Sequence, residues 1–259
     1  MNMRVALIAG ALAVVGSQSA EAAEIKVLTA GAFKQVLLAL VPAYEKQTGN
    51  KVTVENDTVG AVVKRIKGGD TFDVVIVSPA AVDDLAKDGK VVAGSRSDLA
   101  KVGVGIVIKD GAARPDISSV DAFKRALIAA KSVAYIDPAS GGSSGIFVDR
   151  LLDKLGIAGE VKPKAKLIAG GAVADHIADG EAEIGVHQIS EILPVKGVTL
   201  VGPLPTEIQN YTVYAAGLGA QSKESDAAKA LIKVLSGPDA AAVFKAKGME
   251  AAGGSNGGG

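Results

Sequence analysis

The sequence predicts an α/β protein of two lobes, two parallel or mixed sheets flanked by helices and joined by two crossover strands. Three observations predict it. Strand-like and helix-like patterns alternate in a βαβαβ order after residue 23, and a second alternating run occupies residues 119–188. Two long strand-like segments, "VGVGIVIKDG" at 102–111 and "YTVYAAGLGA" at 211–220, stand at either end of that second run. Alternation of this kind builds parallel sheets covered by helices, and two such units linked by two long strands give two lobes.

The chain opens with "MNMR", a short positive start, followed by "VALIAGALAVVG", an apolar run too short to span a bilayer. "SQSAEA" then ends in a small-x-small cleavage pattern, so residues 1–22 are expected to be a signal peptide removed near Ala22. No cysteine follows the run to carry a lipid anchor, and no later segment is apolar enough to cross a membrane. An exported, soluble mature chain is expected.

"EIKVLTA" reads as a buried strand. The segment after it places Val36, Leu37, Leu40, Val41 and Tyr44 at helical spacing, with Gly49 as its stop and Pro42 as an internal irregularity. "KVTVEND" alternates like a strand, "VGAVVKRIKGG" is a short helix, "FDVVIVS" an apolar strand, and "AAVDDLAKDG" a helix and turn. In the second run the helix "SVDAFKRALIAA" leads to the strand "SVAYI" and the helix "SGIFVDRLLDKLG". Strand "AKLIAG", helix "GAVADHIADG" and strand "EIGVHQI" follow, and two helices after residue 220 close the fold. Lobe I is expected over 23–104 plus 214–252 and lobe II over 105–213, with a flexible glycine-rich tail at 253–259.

Composition narrows the chemistry. Twenty-eight basic residues balance 28 acidic ones, which argues against nucleic acid as a partner, since that needs a basic surface. With no tryptophan and few aromatic residues, a site of stacked rings is disfavoured. With no cysteine, disulfides, thiolate metal sites and cysteine nucleophiles are excluded. No metal and no cofactor are expected.

Ligands of open α/β sheets sit beyond the carboxyl ends of the strands, so two facing lobes place the site in the cleft between them. Several strand-to-helix junctions should point there. The first carries Ala30, Gly31 and Ala32, the second Thr58 and Val59, and the third Ser140, Gly141, Ser143 and Ser144. Helix-first amides lack intrahelical partners and, with the helix dipole, favour an anion. A Ser or Thr in such a place is often only a cap worth about 1 kcal/mol. Three serines and three glycines within 140–145 exceed what one cap requires. That loop has no lysine or arginine and no P-loop ending, so a negative group held there would be held by neutral donors. At a fourth junction His187 or Gln188 is placed to donate to a ligand, the alternative for His187 being a satisfied strand-end histidine. Asp137 is expected to organise its own turn.

The segments "VLTAGAFKQVLLALVPAYEKQTGNKV", "TVGAVVKRIKGGDTFDVVIVS", "AYIDPASGGSSG" and "DGEAEIGVHQISEI", with the terminal "FKAKGMEAAG", resemble the periplasmic molybdate-binding proteins of ABC transporters, and more widely the type II periplasmic binding protein superfamily. The resemblance covers almost the whole mature chain. It implies a two-lobed fold, a periplasmic monomer, and an ABC permease in the inner membrane as partner. It also implies an oxyanion held by hydroxyls and backbone amides at these junctions. The family's first-loop serine falls on Ala32, its serine-rich second loop keeps only Thr58, and its tyrosine near the fourth junction is replaced within "VHQIS". The branch is therefore divergent in its ligand loops, and the expected cargo is a small anion, either a molybdate-like oxyanion or a small organic carboxylate.

The function expected is capture of that anion for an importer, without catalysis. The alternatives are an exported hydrolase and a ligand-sensing binding protein that docks on a receptor. The hydrolase lacks support from any G-x-S-x-G elbow or H-E-x-x-H helix.

Overall fold

A computed structural model describes residues 22–253. All but the last residue of the expected signal peptide, and all but Gly253 of the expected tail, lie outside the described residues.

The first half is built as expected. Strand β1 (Glu24–Ala30) leads into helix α1 (Gly31–Thr48), β2 (Lys51–Asp57) into α2 (Val59–Lys67), and β3 (Val74–Val77) into α3 (Pro79–Lys87). The second half contains α4 (Val120–Ala129), β5 (Val133–Ile136), α5 (Ser143–Lys154), α6 (Ala158–Val161), β6 (Ala165–Ile168), α7 (Val173–Ala178), β7 (Ile184–Gln188), α8 (Ile189–Ile192) and β8 (Val198–Pro203). Strand β4 (Ser97–Lys109) carries the chain out to it, and β9 (Tyr211–Leu218) brings the chain back. Helices α9 (Ser225–Leu235) and α10 (Pro238–Ala246) and strand β10 (Met249–Ala251) finish the first half.

The strands run in the order β2-β1-β3-β9-β4-β7-β5-β6, with β8 and β10 both pairing β4. β1 is parallel to β2 and β3, and β5 is parallel to β6 and β7, whereas β4 and β9 are antiparallel to their neighbours. The pairing of β4 changes at its middle. Residues up to Gly103 face β9 and those from Val104 face β7.

Both central strands are apolar on both faces because helices cover both faces. In β3, Val74 and Ile76 enter one core with Phe33 and Leu231, while Val75 and Val77 enter another with Val62 and Leu85. β5 repeats this division: Val133 and Tyr135 pack with Phe123 and Leu152, and Ala134 and Ile136 with Val173 and Ile177.

Several elements differ from the sequence reading. β4 begins five residues before the predicted strand, because Leu99 and Ala100 are buried and Ala100 pairs both β9 and β10, Leu99 lying at a shift in the β9 register. β8, β10, α6 and α8 were not predicted. The two strands are a half-buried edge and a three-residue piece, and the two helices have only four residues each, too short to show a period. α1 runs through Pro42 without a break. The carbonyl that loses a partner there belongs to Leu38, which is 51% exposed and so on the solvent side.

Candidate functional site

The carboxyl ends of β1, β2, β5 and β7 converge on one cavity of about 330 Å3. Ala30, Gly31 and Ala32 line it at the start of α1, Thr58 and Val59 at the start of α2, Ser143 and Ser144 at the start of α5, and His187 and Gln188 at the end of β7. Nine of the eleven predicted positions thus meet in a single hollow. α1 and α5 have no side-chain cap, so their first-turn amides are not consumed by a capping oxygen. The serines that open α5 are therefore not explained as caps. Thr58 does cap α2, its Oγ1 accepting from Ala61 N at 3.2 Å.

Ser140 and Gly141 are not in the cavity wall. They form a short 3-10 turn, organised by Asp137, whose Oδ1 accepts from Ala139 N at 2.9 Å. That turn is clasped to α2 across the cleft. Thr58 Oγ1 donates to Ser140 O at 2.6 Å, and Gly60 N donates to Gly141 O at 3.2 Å. The Ser140 hydroxyl donates back to Asp137 O at 2.8 Å and is spent there. Close backbone approach explains the glycines. A Cβ on Gly60 would lie 2.8 Å from Gly141 Cα, and one on Gly145 would lie 2.2 Å from Ile136 O.

His187 and Gln188 are both almost fully buried. Gln188 Oε1 accepts from the Tyr214 hydroxyl at 2.8 Å, which orients its amide. Its Nε2 has no protein partner among the described residues, nor has His187 Nδ1. An unpaired buried donor costs about 1–3 kcal/mol, so a cavity lined by one is suited to an acceptor.

The sequence reading missed Asn56, Asp57, Gly170, Gly171, Glu191 and Tyr214, which also line the cavity. Asn56 and Asp57 sit at the carboxyl end of β2, where the strand-end rule points. Tyr214 enters from β9, within hydrogen-bond reach of Ser143, and burial raises its phenol well above the usual range. A phenol is thus present at the site, supplied by a different strand from the junction at "VHQIS".

Glu191 lies one helical turn beyond His187, its Oε2 3.3 Å from His187 Nε2, with its side chain 16% exposed. The two do not form an ion pair. Burial lowers the imidazole to about 3 and raises the carboxyl to about 8, so at neutral pH both are mostly uncharged. Among the described residues the close side-chain contact of this carboxyl is with His187 Nε2. A Cβ on Gly31 would lie 2.6 Å from Glu191 Oε1, so glycine at 31 makes room for it. Glu191 also borders an outer cavity of about 690 Å3 lined by Lys34, Asp175, Asp179 and Lys196.

The chain matches the family described as bacterial extracellular solute-binding protein over residues 25–250. It is 34% identical over 230 residues to a protein named aconitate isomerase from Pseudomonas sp, covering 86% of each chain. It is 30% identical over 259 residues to the molybdate-binding protein ModA of Azotobacter vinelandii, covering 94% of this chain and 95% of that one. The solved periplasmic molybdate-binding protein of Azotobacter vinelandii superposes with a TM-score of 0.73 at 22% identity, over 87% of this chain and 98% of that one. That likeness shows the fold, the one expected of type II periplasmic binding proteins. With a match spanning nearly all the described residues, the chain belongs to the family of bacterial extracellular solute-binding proteins.

Proposed function

We propose that the protein is an exported, periplasmic solute-binding protein whose cavity holds a small organic polycarboxylate for an ABC permease, acting as a monomer. What carries the ligand class is the Glu191 carboxyl in the wall of a cavity whose other polar groups include uncharged donors. A carboxylate wall would repel an anion. In its acid form the same group donates a charge-assisted hydrogen bond to a ligand carboxylate. The volume also falls within the range of small-organic-ligand pockets. Ser143, Gln188 Nε2 and the first amides of α1 and α5 would supply the remaining donors.

The test is a thermal-shift screen of residues 23–259 with molybdate, tungstate, sulfate, phosphate, neutral sugars and a series of mono-, di- and tricarboxylates that includes both aconitate isomers. A ligand at a hundred times its dissociation constant adds about 2.7 kcal/mol, or about 5–10 °C for a chain of this size. A di- or tricarboxylate is expected to give that shift. Gln188→Leu should weaken it, lowering affinity at least about tenfold for a lost hydrogen bond to a charged group. Stabilisation by molybdate or neutral sugars alone would reject the reading.

A second reading is favoured by one observation. The 34% identical relative is named aconitate isomerase, and the cavity contains a carboxyl titrating near neutrality. On this reading the protein converts a bound unsaturated tricarboxylate between isomers. Release of the starting isomer unchanged after prolonged incubation would count against it.

A further inference from the structure

We propose that Glu191 is the group that carries a proton between two carbons of a bound unsaturated polycarboxylate. The inference rests on the second, isomerising reading of the cavity and deepens it by assigning the proton transfer to one side chain.

The geometry comes first. A structural carboxyl is normally held by donors, as Asp73 is by Lys26 N at 2.8 Å and Ser222 Oγ at 2.6 Å. Among the described residues Glu191 has no such backbone or hydroxyl tether, and its close side-chain contact is the His187 imidazole, itself held neutral by burial. Its other oxygen lies against the Gly31 backbone, where the missing side chain leaves space. The carboxyl is therefore anchored through α8 yet keeps its lone pairs and proton for whatever fills the hollow. Groups that face it from other elements are Tyr214 on β9, Asn56 and Asp57 on β2, and Lys34, Asp175, Asp179 and Lys196 around the outer cavity. Asp57 is the second carboxyl of the inner cavity; it is half-buried and its Oδ1 accepts from Thr58 N at 2.7 Å.

The step balances without a co-reactant. The ionised Glu191 oxygen takes a proton from the ligand's methylene carbon, forming O–H as C–H breaks. The electron pair moves into conjugation with a ligand carboxylate as a dienolate. Glu191 then returns a proton to the carbon at the far end of the allylic unit, forming a new C–H bond. The double bond has moved one position and the carboxylate is regenerated. Amide and hydroxyl donors at the starts of α1 and α5 face the same hollow and stabilise the charge that develops on the ligand oxygens. A base that titrates near the working pH is the efficient choice for this transfer.

The test uses the mature protein in D2O with cis- or trans-aconitate as the probe, read by proton NMR for loss of ligand C–H signal and for isomer conversion, with binding measured in parallel by calorimetry. Because the ionised wall binds the anion less tightly than the acid form, ligand is kept saturating at each pH; under that condition wild type should exchange the methylene protons, with a rate that climbs with pH and levels off above about 8. Glu191→Gln, which mimics the neutral acid in shape, should still bind within several-fold but exchange about 10²–10⁴-fold more slowly. Glu191→Asp should keep part of the exchange. Binding by wild type with neither isomer conversion nor deuterium incorporation would overturn the inference and leave the ligand class standing, whereas conversion without incorporation would show the same proton being carried across. Exchange by Glu191→Gln at the wild-type rate would overturn it too. No binding of either isomer or of any other carboxylate would remove both.

Discussion

Replacing Gly60 by alanine inserts one methyl group into the clasp between the two halves. Its Cβ would lie 2.8 Å from Gly141 Cα and 3.0 Å from Ser140 O. Both contacts are backbone, so no side chain can swing aside and the 138–141 turn must withdraw. Withdrawal stretches Thr58 Oγ1 to Ser140 O and Gly60 N to Gly141 O, now 2.6 and 3.2 Å. At about 1 kcal/mol each, the closed arrangement loses about 2 kcal/mol, or about 30-fold in affinity for any ligand that needs closure. Gly60 lies inside α2, where alanine is the better helix former by up to about 1 kcal/mol. In a free protein whose halves part, the clasp counts only once a ligand closes them, so the loss falls on affinity and the helix gain on the unliganded protein. Calorimetric titration with the carboxylate selected by the thermal screen should show a dissociation constant raised about 30-fold, while the melting temperature of the unliganded protein holds or rises. An affinity within twofold of wild type would refute the reasoning, because the clasp would then contribute nothing to closure. Gly141→Ala is a poorer probe, since Gly141 also has φ of +73° and a side chain there adds strain of its own.

Stability should depend on pH through the buried pair. Glu191 is raised from 4.5 to about 8, so its contribution is full below about 4.5 and is lost as pH rises through about 8. His187 is lowered from 6.5 to about 3, so its contribution is full above about 6.5 and is lost as pH falls through about 3. Between about 4.5 and 6.5 the two slopes oppose each other, each up to about 1.4 kcal/mol per pH unit. Urea titrations across this range should therefore show a plateau with falls on both sides, and Glu191→Gln should flatten the alkaline fall alone. Ser143 lines the cavity and Ser140 does not. Ser143→Ala should thus weaken ligand binding about fivefold for one hydrogen bond of about 1 kcal/mol. Ser140→Ala, whose hydroxyl only donates to Asp137 O, should leave intrinsic contacts to the ligand unchanged; equal losses from both would contradict the placement of the turn.

The architecture was legible because its signals are local. β3 and β5 are unbroken apolar runs, and the helices between them carry regular apolar spacing. The junctions were legible for the same reason, since the carboxyl end of a parallel strand is fixed once the strand is recognised. What escaped depends on contacts between distant residues. In sequence the glycines of the serine-rich loop count only as more than one cap requires. In the structure Gly141 approaches Gly60, and Gly142 and Gly145 approach Ile136. Glu191 looks in sequence like an ordinary acid near a helix start. Its burial comes from the glycine at 31, some 160 residues earlier, which no period or spacing reveals. Tyr214 lies in a strand whose inward face could not be oriented before its neighbours β3 and β4 were known.

β4 is sewn to β9 and β10 along its first part and to β7 and β8 along its second. Neither half can melt without stripping a ladder from a strand that the other half also holds. The shared ladder is expected to make the molecule unfold as a single cooperative unit even though the described residues form four apolar clusters, so that a molecule seated in the cleft should slow hydrogen exchange at residues far beyond those it touches.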